Sequence, residues 1–140
     1  MQRWYLQSVS ECYRGRNVRV FRLDREGTLA RLRQRADNLL TQRPDVIEVR
    51  LFGSLAHGTA GPGSDADLFI VVRNGAPRFL DRIPDLSRYF EGVGIGCDVI
   101  AYTEAERDAL VERRDAFAVA VLDESIVLAR RHTGDAAAAE

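Results

Sequence analysis

The chain has 140 residues, of which 46% are hydrophobic, and its formal net charge is −1. From this length and composition we expect one globular domain, without a second, substrate-binding domain. The charge balance excludes an overall basic field that would recruit nucleic acid. No apolar stretch approaches the length of a membrane span, so a membrane partner is not expected.

The charges are unevenly distributed along the chain. Residues 1–50 contain 11 arginines against 6 acidic residues, whereas residues 51–140 contain 9 arginines against 15 acidic residues. All 20 basic residues are arginine, so no lysine is available to bind a phosphate. Cys12 and Cys97 show no zinc-ligand spacing, and the first residues lack an uninterrupted apolar signal core. We therefore expect a reduced, cytoplasmic protein.

The chain divides into an N-terminal extension of open order (residues 1–17), one domain (residues 18–131) and a tail expected to be frayed (residues 132–140). Apolar residues at 18–23 predict a short strand, and Asp24 is a candidate cap for the helix that follows. Leucines and alanine at 29, 32, 36, 39 and 40 form one helical face, and Pro44 marks the end of this helix. Its arginines, Arg31, Arg33 and Arg35, are interpreted as a solvated face, with a docking surface for RNA or an acidic partner as the alternative.

The central part of the chain alternates strands and helices. Residues 46–52 predict a first central strand, with Ile47, Val49 and Leu51 on one side. The continuous apolar run 68–72 predicts a strand covered on both faces. A helical segment that Pro84 should kink or restart leads to a strand at 97–102, where alternation predicts that Cys97 belongs to the core. The last elements are a helix with a Thr103/Glu106 capping box, a helix capped by Asp115 and a short strand at 125–128.

One stretch carries the chemistry: LFGSLAHGTAGPGSDADLFIVV, residues 51–72. Residues i and i+2 of a strand project from the same face, so Asp65 and Asp67 should point together while Ala66 points away. Two such charges about 4 Å apart repel by roughly 1 kcal/mol in water and roughly 4 kcal/mol near a protein surface, which favours a bound cation. Mg²⁺ suits such oxygen ligands, and Gly53-Ser54 can offer backbone N–H groups and a hydroxyl to an anion. A metal-bound polyphosphate would suit both the Asp65/Asp67 pair, through the metal, and the Gly53-Ser54 turn, through the phosphates.

Gly53-Ser54, ten intervening residues and Asp65-Ala66-Asp67 before an apolar strand resemble the signature of the DNA polymerase β nucleotidyltransferase superfamily. Within it, the chain is most similar to the small, single-domain minimal nucleotidyltransferases of bacteria and archaea. Asp98 matches the third carboxylate of that family. The resemblance spans residues 24 to 130. It implies an α+β nucleotidyltransferase fold, with a central mixed β-sheet and helices packed against one side.

The resemblance also implies a reaction. Asp65, Asp67 and Asp98 would hold Mg²⁺ or Mn²⁺, with Asp98 as proton acceptor or its close support. Gly53 and Ser54 would grip the terminal phosphates. A nucleoside monophosphate, AMP from ATP, would pass to a hydroxyl of a protein, RNA or small-molecule acceptor as pyrophosphate departs.

The sequence departs from the family pattern between the two parts of the signature. Many minimal members have arginine at the positions of Leu55 and His57, so nucleotide binding is expected to be weaker or to draw an arginine from a partner. His57 is either a phosphate contact or an exposed loop histidine. Ser64 is interpreted first as a turn residue that supports Asp65, and second as part of the nucleotide site.

Two classes of function stay open. An enzyme is favoured because all three carboxylates are present. The alternative is an interaction module, because small proteins of this kind resemble the antitoxin partners of helical, HEPN-like ribonuclease toxins, which act by AMP transfer or by binding alone. A nucleotide-binding remnant without turnover is a third reading. The acceptor, the base preference and any homo-oligomer stay undetermined.

Overall fold

The computed structural model describes the backbone of residues 9–14 and 19–132 and the side chains of residues 23–132. Residues 1–8 and 15–17 of the expected N-terminal extension and residues 133–140 of the expected tail lie outside this range. The strands are β1 Val9–Arg14, β2 Arg19–Leu23, β3 Val46–Phe52, β4 Ala66–Val72, β5 Cys97–Thr103 and β6 Ile126–Arg130. The helices are α1 Arg25–Gln42, α2 Ser54–His57, α3 Phe79–Ser87, α4 Glu104–Glu112 and α5 Ala116–Glu124, and a 3₁₀ turn, Arg88–Phe90, follows α3.

Four strands form a mixed sheet in the order β5-β4-β3-β6. The β3/β4 and β3/β6 pairs are antiparallel, and the β4/β5 pair is parallel. The end of β3 and the starts of β4 and β5 therefore meet at one edge. This arrangement confirms the expected α+β fold with a central mixed sheet.

The strand predicted near residues 18–23 is present as β2. It pairs antiparallel with β1 in a separate two-stranded sheet. β1 falls within residues 1–17, for which the sequence pattern predicted no definite structure. The strand is recognised by its pairing with β2.

Both faces of β4 are buried, as its continuous apolar run predicts. Leu68 and Ile70 pack in a core cluster with leucines of α1, whereas Phe69 and Val71 pack with Val121 of α5. Helices therefore cover both faces of the sheet. The expectation that they pack against one side was wrong, because α5 returns across the second face before β6.

Ile47 does not share a face with Val49 and Leu51, which corrects the alternation expected for β3. The register of β3 against β4 shifts between Val46 and Glu48, which places an irregularity there. An extra residue in a bulge turns the following side chains over. As a result, Val46, Val49 and Leu51 join the α1 side, and Ile47 packs with the α5 side.

Helix α1 begins at the predicted cap, where Asp24 accepts a hydrogen bond from the Gly27 N–H at 3.2 Å. The interpretation of its arginines as a solvated face was wrong for two of the three. Arg31 Nε donates to the Val93 carbonyl at 2.8 Å, and Arg35 Nη1 donates to the Tyr89 and Glu91 carbonyls at 3.2 and 2.8 Å. These bonds tie the loop before β5 to α1.

The remaining helix signals are confirmed. Thr103 and Glu106 form the predicted capping box, and Asp115 caps α5 through the Ala118 N–H. Pro84 lies inside α3, which continues to Ser87, so no second helix begins at the proline. Among the described residues, no helix combines the length and apolarity that crossing a bilayer requires.

A buried ion-pair group joins three parts of the chain under α5. Glu48 is 5% exposed and accepts hydrogen bonds from Arg50 and, at 2.7 Å, from Arg130 Nε. Arg50 also donates to Ser125 Oγ at 3.1 Å. Burial alone would raise the pKa of the Glu48 carboxyl, but the hydrogen bonds from Arg50 and Arg130 outweigh it and hold that pKa below its usual value.

We predict that Glu48→Gln lowers the free energy of unfolding at pH 7 by about 2 kcal/mol, since charged hydrogen bonds are weakened. A lowered carboxyl pKa stabilises the fold above the unfolded value, near 4.5, and that contribution is lost as pH falls through the folded value. The difference between variant and native protein should therefore shrink below pH 4.5 in urea titrations. Glu112→Gln, on an exposed carboxylate, is the control; equal effects of the two substitutions would contradict the prediction.

Candidate active site

Three aspartates lie at the sheet edge where β4 and β5 begin. Asp67 and Asp98 are direct partners in the parallel β4/β5 register, and Asp65 lies one residue before β4. Ala66 and Leu68 are fully buried on the opposite face, as the predicted alternation requires. The strand register therefore brings Asp98 beside the Asp65/Asp67 pair, a step that sequence spacing alone did not provide.

The three carboxylates interact electrostatically. The pKa of Asp67 is raised above its usual value, first by burial and then by the negative charges of Asp98 and Asp65. Each cause disfavours the charged form of Asp67. A cation at this position would relieve the repulsion.

Gly53 lies directly against Asp67. Its backbone has φ +77° and ψ −158°, a conformation that is strongly unfavourable for residues other than glycine. A Cβ at this residue would lie 2.2 Å from Asp67 Oδ2. The glycine thus lets the end of β3 approach the carboxylate, a role additional to the anion binding expected from sequence.

The short helix α2 carries the other residues of the Gly53-Ser54 motif. Ser54 begins it, and Leu55 is fully buried in the core on the α1 side, so this position cannot face a phosphate. Arg25 of α1 holds α2 from behind, because its Nε donates to the Leu55 carbonyl and its Nη2 to the Ala56 carbonyl, each at 3.0 Å. Sequence reasoning missed Arg25, since nothing in the local pattern connects residues 30 positions apart.

His57 ends α2 and faces α5. Its Nε2 lies 3.4 Å from Glu124 Oε2, and both side chains are about half exposed. The two residues line a pocket of about 190 Å³ that Gly53 and Phe117 also border. The structure thus places His57 beside the Glu124 carboxylate, at a pocket that Gly53 also lines.

Ser64 and Cys97 occupy the surroundings of the carboxylates. Ser64 Oγ accepts a hydrogen bond from the Gly61 N–H at 3.1 Å, which fits a turn residue that supports Asp65. The Cys97 side chain packs at the margin of the core. Burial, followed by the charges of Asp65 and Asp98, raises the pKa of its thiol to about 12. Cys97 is therefore protonated at neutral pH, which agrees with its interpretation as a packing residue.

The donor set fits a hard divalent cation in its chemistry. Asp65, Asp67 and Asp98 supply carboxylate oxygens, and the raised pKa of Asp67 reflects crowded negative charge. In the part of the chain that the structure describes, no three His, Cys, Asp or Glu side chains already converge closely enough to hold one metal ion. Such a ligand set suits Mg²⁺, which commonly combines one or two carboxylates with substrate phosphates and water.

Comparison with known proteins agrees with this architecture. The nucleotidyltransferase domain family matches residues 31–124. The CCA-adding enzyme of Pyrobaculum neutrophilum is 45% identical over 49 residues, which cover 34% of this chain and 12% of the enzyme. This chain therefore spans a small part of that curated relative.

Three solved structures share the fold. A protein assigned as a nucleotidyltransferase from Sulfolobus solfataricus aligns with a TM-score of 0.57 and 23% identity over 78% of this chain and 86% of its own. A toxin–antitoxin structure with AMP-PNP aligns with a TM-score of 0.52 and 17% identity over 76% and 80%. A protein assigned as a minimal nucleotidyltransferase has a TM-score of 0.50 and 30% identity over 70% and 93%.

We predict that Gly53→Ala disturbs the Asp67 carboxylate, whereas Gly58→Ala does not. Both glycines have positive φ, but a Cβ at Gly58 would meet nothing closer than 3.9 Å. Gly58→Ala should cost about 1–2 kcal/mol of stability, and Gly53→Ala about 3 kcal/mol. Carboxyl NMR titration should show a changed pKa of Asp67 only in Gly53→Ala; the same Asp67 titration in both variants would contradict the prediction.

The two departures from the family pattern should respond differently to arginine. Leu55→Arg would bury an unpaired charge and should lower the free energy of unfolding by about 3–5 kcal/mol. His57→Arg, on a half-exposed side chain, should change the free energy of unfolding by about 0.5 kcal/mol or less. Thermal unfolding of both variants checks these outcomes. Equal stability of the Leu55→Arg and His57→Arg variants would contradict the prediction.

Proposed function

Because this chain belongs to the nucleotidyltransferase domain family, we propose that it transfers a nucleoside monophosphate, AMP from ATP, to a hydroxyl acceptor and releases pyrophosphate. The observation that carries the proposal is the meeting of Asp67 and Asp98 at one register position, with Asp65 and Gly53 beside them. Burial and the charges of Asp98 and Asp65 raise the pKa of Asp67, and such perturbed pKa values are frequent at functional sites.

Gly53 and Ser54 are proposed to bind the terminal phosphates. The glycine places backbone close to the Asp67 carboxylate, and the hydroxyl of Ser54 at the start of α2 can donate to a phosphate oxygen. Arg25 supports this loop through the carbonyls of Leu55 and Ala56. In this proposal His57 donates a hydrogen bond to the nucleotide. Ser64 stabilises the turn that precedes Asp65 through its hydrogen bond with the Gly61 N–H.

Asp65, Asp67 and Asp98 would hold Mg²⁺ or Mn²⁺, which when bound neutralises triphosphate charge and lowers the proton affinity of the acceptor hydroxyl. The hydroxyl oxygen forms a bond to the α-phosphorus while the bond from that phosphorus to the bridging oxygen breaks. Pyrophosphate leaves with the electron pair. Asp98 receives the hydroxyl proton or supports the group that does.

The second candidate is an antitoxin-type module that neutralises a helical, HEPN-like ribonuclease toxin by binding or by AMP transfer. It draws support from a specific observation, since α4 and α5 expose large apolar side chains: Val111 (41%), Phe117 (41%) and Val119 (37%). The fold neighbour that is a toxin–antitoxin structure points in the same direction. The two candidates overlap, because a module could use the same chemistry.

We predict that the purified protein with Mg²⁺ or Mn²⁺ transfers label from α-labelled ATP, and not from γ-labelled ATP, to an acceptor in its own cell lysate. Asp65→Asn and Asp67→Asn should abolish the transfer, since each removes a proposed metal ligand. Asp123→Asn, on an exposed carboxylate of α5, is the matched control and should keep full activity. Label that persists in both site variants would refute the catalytic assignment.

Asp67→Asn should also be more stable than the native protein, which separates loss of activity from misfolding. The raised pKa of Asp67 means that its charged form is penalised in the fold, so removing the charge at pH 7 should add on the order of 1 kcal/mol. The gain should disappear as pH falls to 3.8 and below, where the native side chain is protonated as well. Added Mg²⁺ should raise the Tm of the native protein and leave that of Asp67→Asn unchanged.

The same variants discriminate the two candidates. Neutralisation of a helical toxin that survives in Asp65→Asn would favour binding alone. Neutralisation that fails in Asp65→Asn, with the complex still formed, would favour AMP transfer onto the partner.

A further inference from the structure

A pocket on the α5 side of the sheet combines aromatic walls with a polar rim. It has a volume of about 190 Å³ and is lined by the end of β3, by α2 and by one face of α5, including Phe52, His57, Phe117, Ala120, Val121 and Glu124. We call it the α5 pocket. We infer that the α5 pocket holds the nucleobase of the donor nucleotide, and that Glu124 selects a base with an exocyclic amino group. This inference deepens the proposed function and rests on it.

The strand register places the α5 pocket on the same face of the sheet as the carboxylates. Phe52 is the antiparallel partner of Asp67, and Asp98 is the parallel partner of Asp67 on the other side. Side chains directly opposite each other on neighbouring strands share a face. Phe69 and Ile100, two positions after the aspartates, pack in the cluster on the α5 side, as does Phe52. The pocket wall at Phe52 therefore lies next to Asp67 on the face that carries the aspartates.

Gly53 connects the α5 pocket with the proposed phosphate loop. It lines the pocket, and a Cβ on this residue would lie 2.2 Å from Asp67 Oδ2. Ser54, which is proposed to bind the terminal phosphates, follows directly at the start of α2. The α-phosphate of a nucleotide carries both the phosphate chain and the ribose. A donor whose α-phosphate lies at Asp67 can therefore direct its terminal phosphates to Ser54 and its base into the pocket.

The walls of the α5 pocket suit one flat ring. Phe117 packs edge-on against Phe52, with ring centroids 5.6 Å apart and ring planes at 82°, and still remains 41% exposed. Val121 is buried and continues this apolar wall into the core. The volume is below the range of about 300–1,000 Å³ for sites that hold whole small ligands. The pocket thus fits the ring of a larger ligand, and nucleobases stack readily on aromatic side chains.

The polar residues of the pocket favour a base over a phosphate. Among the described residues that line it, Glu124 is the one acidic residue and none is arginine. An ionised carboxylate repels a phosphate but accepts hydrogen bonds from neutral N–H groups. His57 Nε2 lies 3.4 Å from Glu124 Oε2, which keeps the carboxylate near the opening of the pocket. An exocyclic amino group, such as that of adenine, is a donor that suits this acceptor.

The first test fills the pocket and leaves the phosphate loop unaltered. Ala120→Phe adds a ring inside the pocket, whereas Val119→Phe adds the same ring at the preceding residue, which is 37% exposed and outside the lining. Calorimetry measures binding of a non-hydrolysable ATP analogue and of inorganic tripolyphosphate, each with Mg²⁺. We expect Ala120→Phe to weaken analogue binding about tenfold or more, since stacking is lost, and to leave tripolyphosphate binding unchanged. Val119→Phe should change neither.

Phe117→Leu is a second variant for the same measurement, because it keeps an apolar side chain and removes the stacking ring. It should weaken binding of the analogue about fivefold and leave binding of tripolyphosphate unchanged. Unchanged analogue binding in both pocket variants overturns the inference. Equal weakening of the two ligands overturns it as well, because the affected group would then be the phosphate chain and not the base.

The second test addresses the edge of the base. Purine riboside triphosphate keeps the ring system of ATP and lacks its amino group. We expect the native protein to bind ATP about fivefold more tightly than this analogue, and Glu124→Ala to remove the difference. Asp123→Ala, on the neighbouring exposed carboxylate, should keep the difference. Equal binding of the two nucleotides by the native protein, or a difference that persists in Glu124→Ala, overturns the assignment of Glu124.

An aromatic side chain of a protein partner is the alternative occupant of the pocket. NMR with the bound ATP analogue should show nuclear Overhauser contacts between adenine protons and the Phe117 ring. N-acetyltyrosinamide serves as the probe for a partner's tyrosine. Contacts of this probe with Phe117 while the analogue is bound, without contacts from adenine, would assign the pocket to a partner and overturn the inference.

The failure of this inference is distinguishable from failure of the proposed function. A protein that binds tripolyphosphate and transfers AMP, but is indifferent to Ala120→Phe, has the activity and binds the base elsewhere. A protein that binds neither nucleotide nor tripolyphosphate and transfers nothing lacks the proposed function itself, and the inference falls with it.

Discussion

The pairing of Asp67 with Asp98 across the parallel β4/β5 register is the constraint on which the site depends. The register places two like charges side by side at the edge of the sheet, and Asp65 adds a third. The sheet compensates with complete burial of the opposite face of β4, where Ala66 and Leu68 are packed against α1 and its neighbours. Packing on one face thus holds repelling groups together on the other.

The loop after β3 satisfies a second constraint. Asp67 is so close to the backbone that residue 53 has no space for a Cβ. The same approach brings the start of α2 to the carboxylates, while Leu55 anchors α2 in the core. Leu55 and Gly53 therefore have complementary roles. Leu55 fixes α2 to the core, and Gly53 allows the backbone to contact the Asp67 carboxylate. This explains why an arginine at position 55 is incompatible with the present packing.

Arginine has a mainly structural role in the described part of this lysine-free chain. Side chains of several arginines cross between elements and donate to backbone carbonyls: Arg25, Arg31, Arg35, Arg82 and Arg131. The planar guanidinium offers several donors in fixed directions, so one residue can satisfy carbonyls of two segments. Arg82 is 8% exposed and joins α3 to β5 and to Glu106 in the α4 capping box. A high arginine content can suggest nucleic-acid contact, but these five arginines connect secondary-structure elements within the domain.

Local sequence patterns were enough to predict the caps at Asp24, Thr103 and Asp115, the two-sided burial of residues 68–72, and the signature of Gly53-Ser54 with Asp65 and Asp67. These follow from local spacing, because helix caps, strand alternation and close pairs depend on residues a few positions apart. Other features became visible only in the folded chain: the bulge that turns Ile47 to the other face, the bonds of Arg25, Arg31 and Arg35 to distant carbonyls, and the approach of Gly53 to Asp67. Each of these joins segments far apart in sequence, and long-range pairing and packing leave no local pattern from which they could be read.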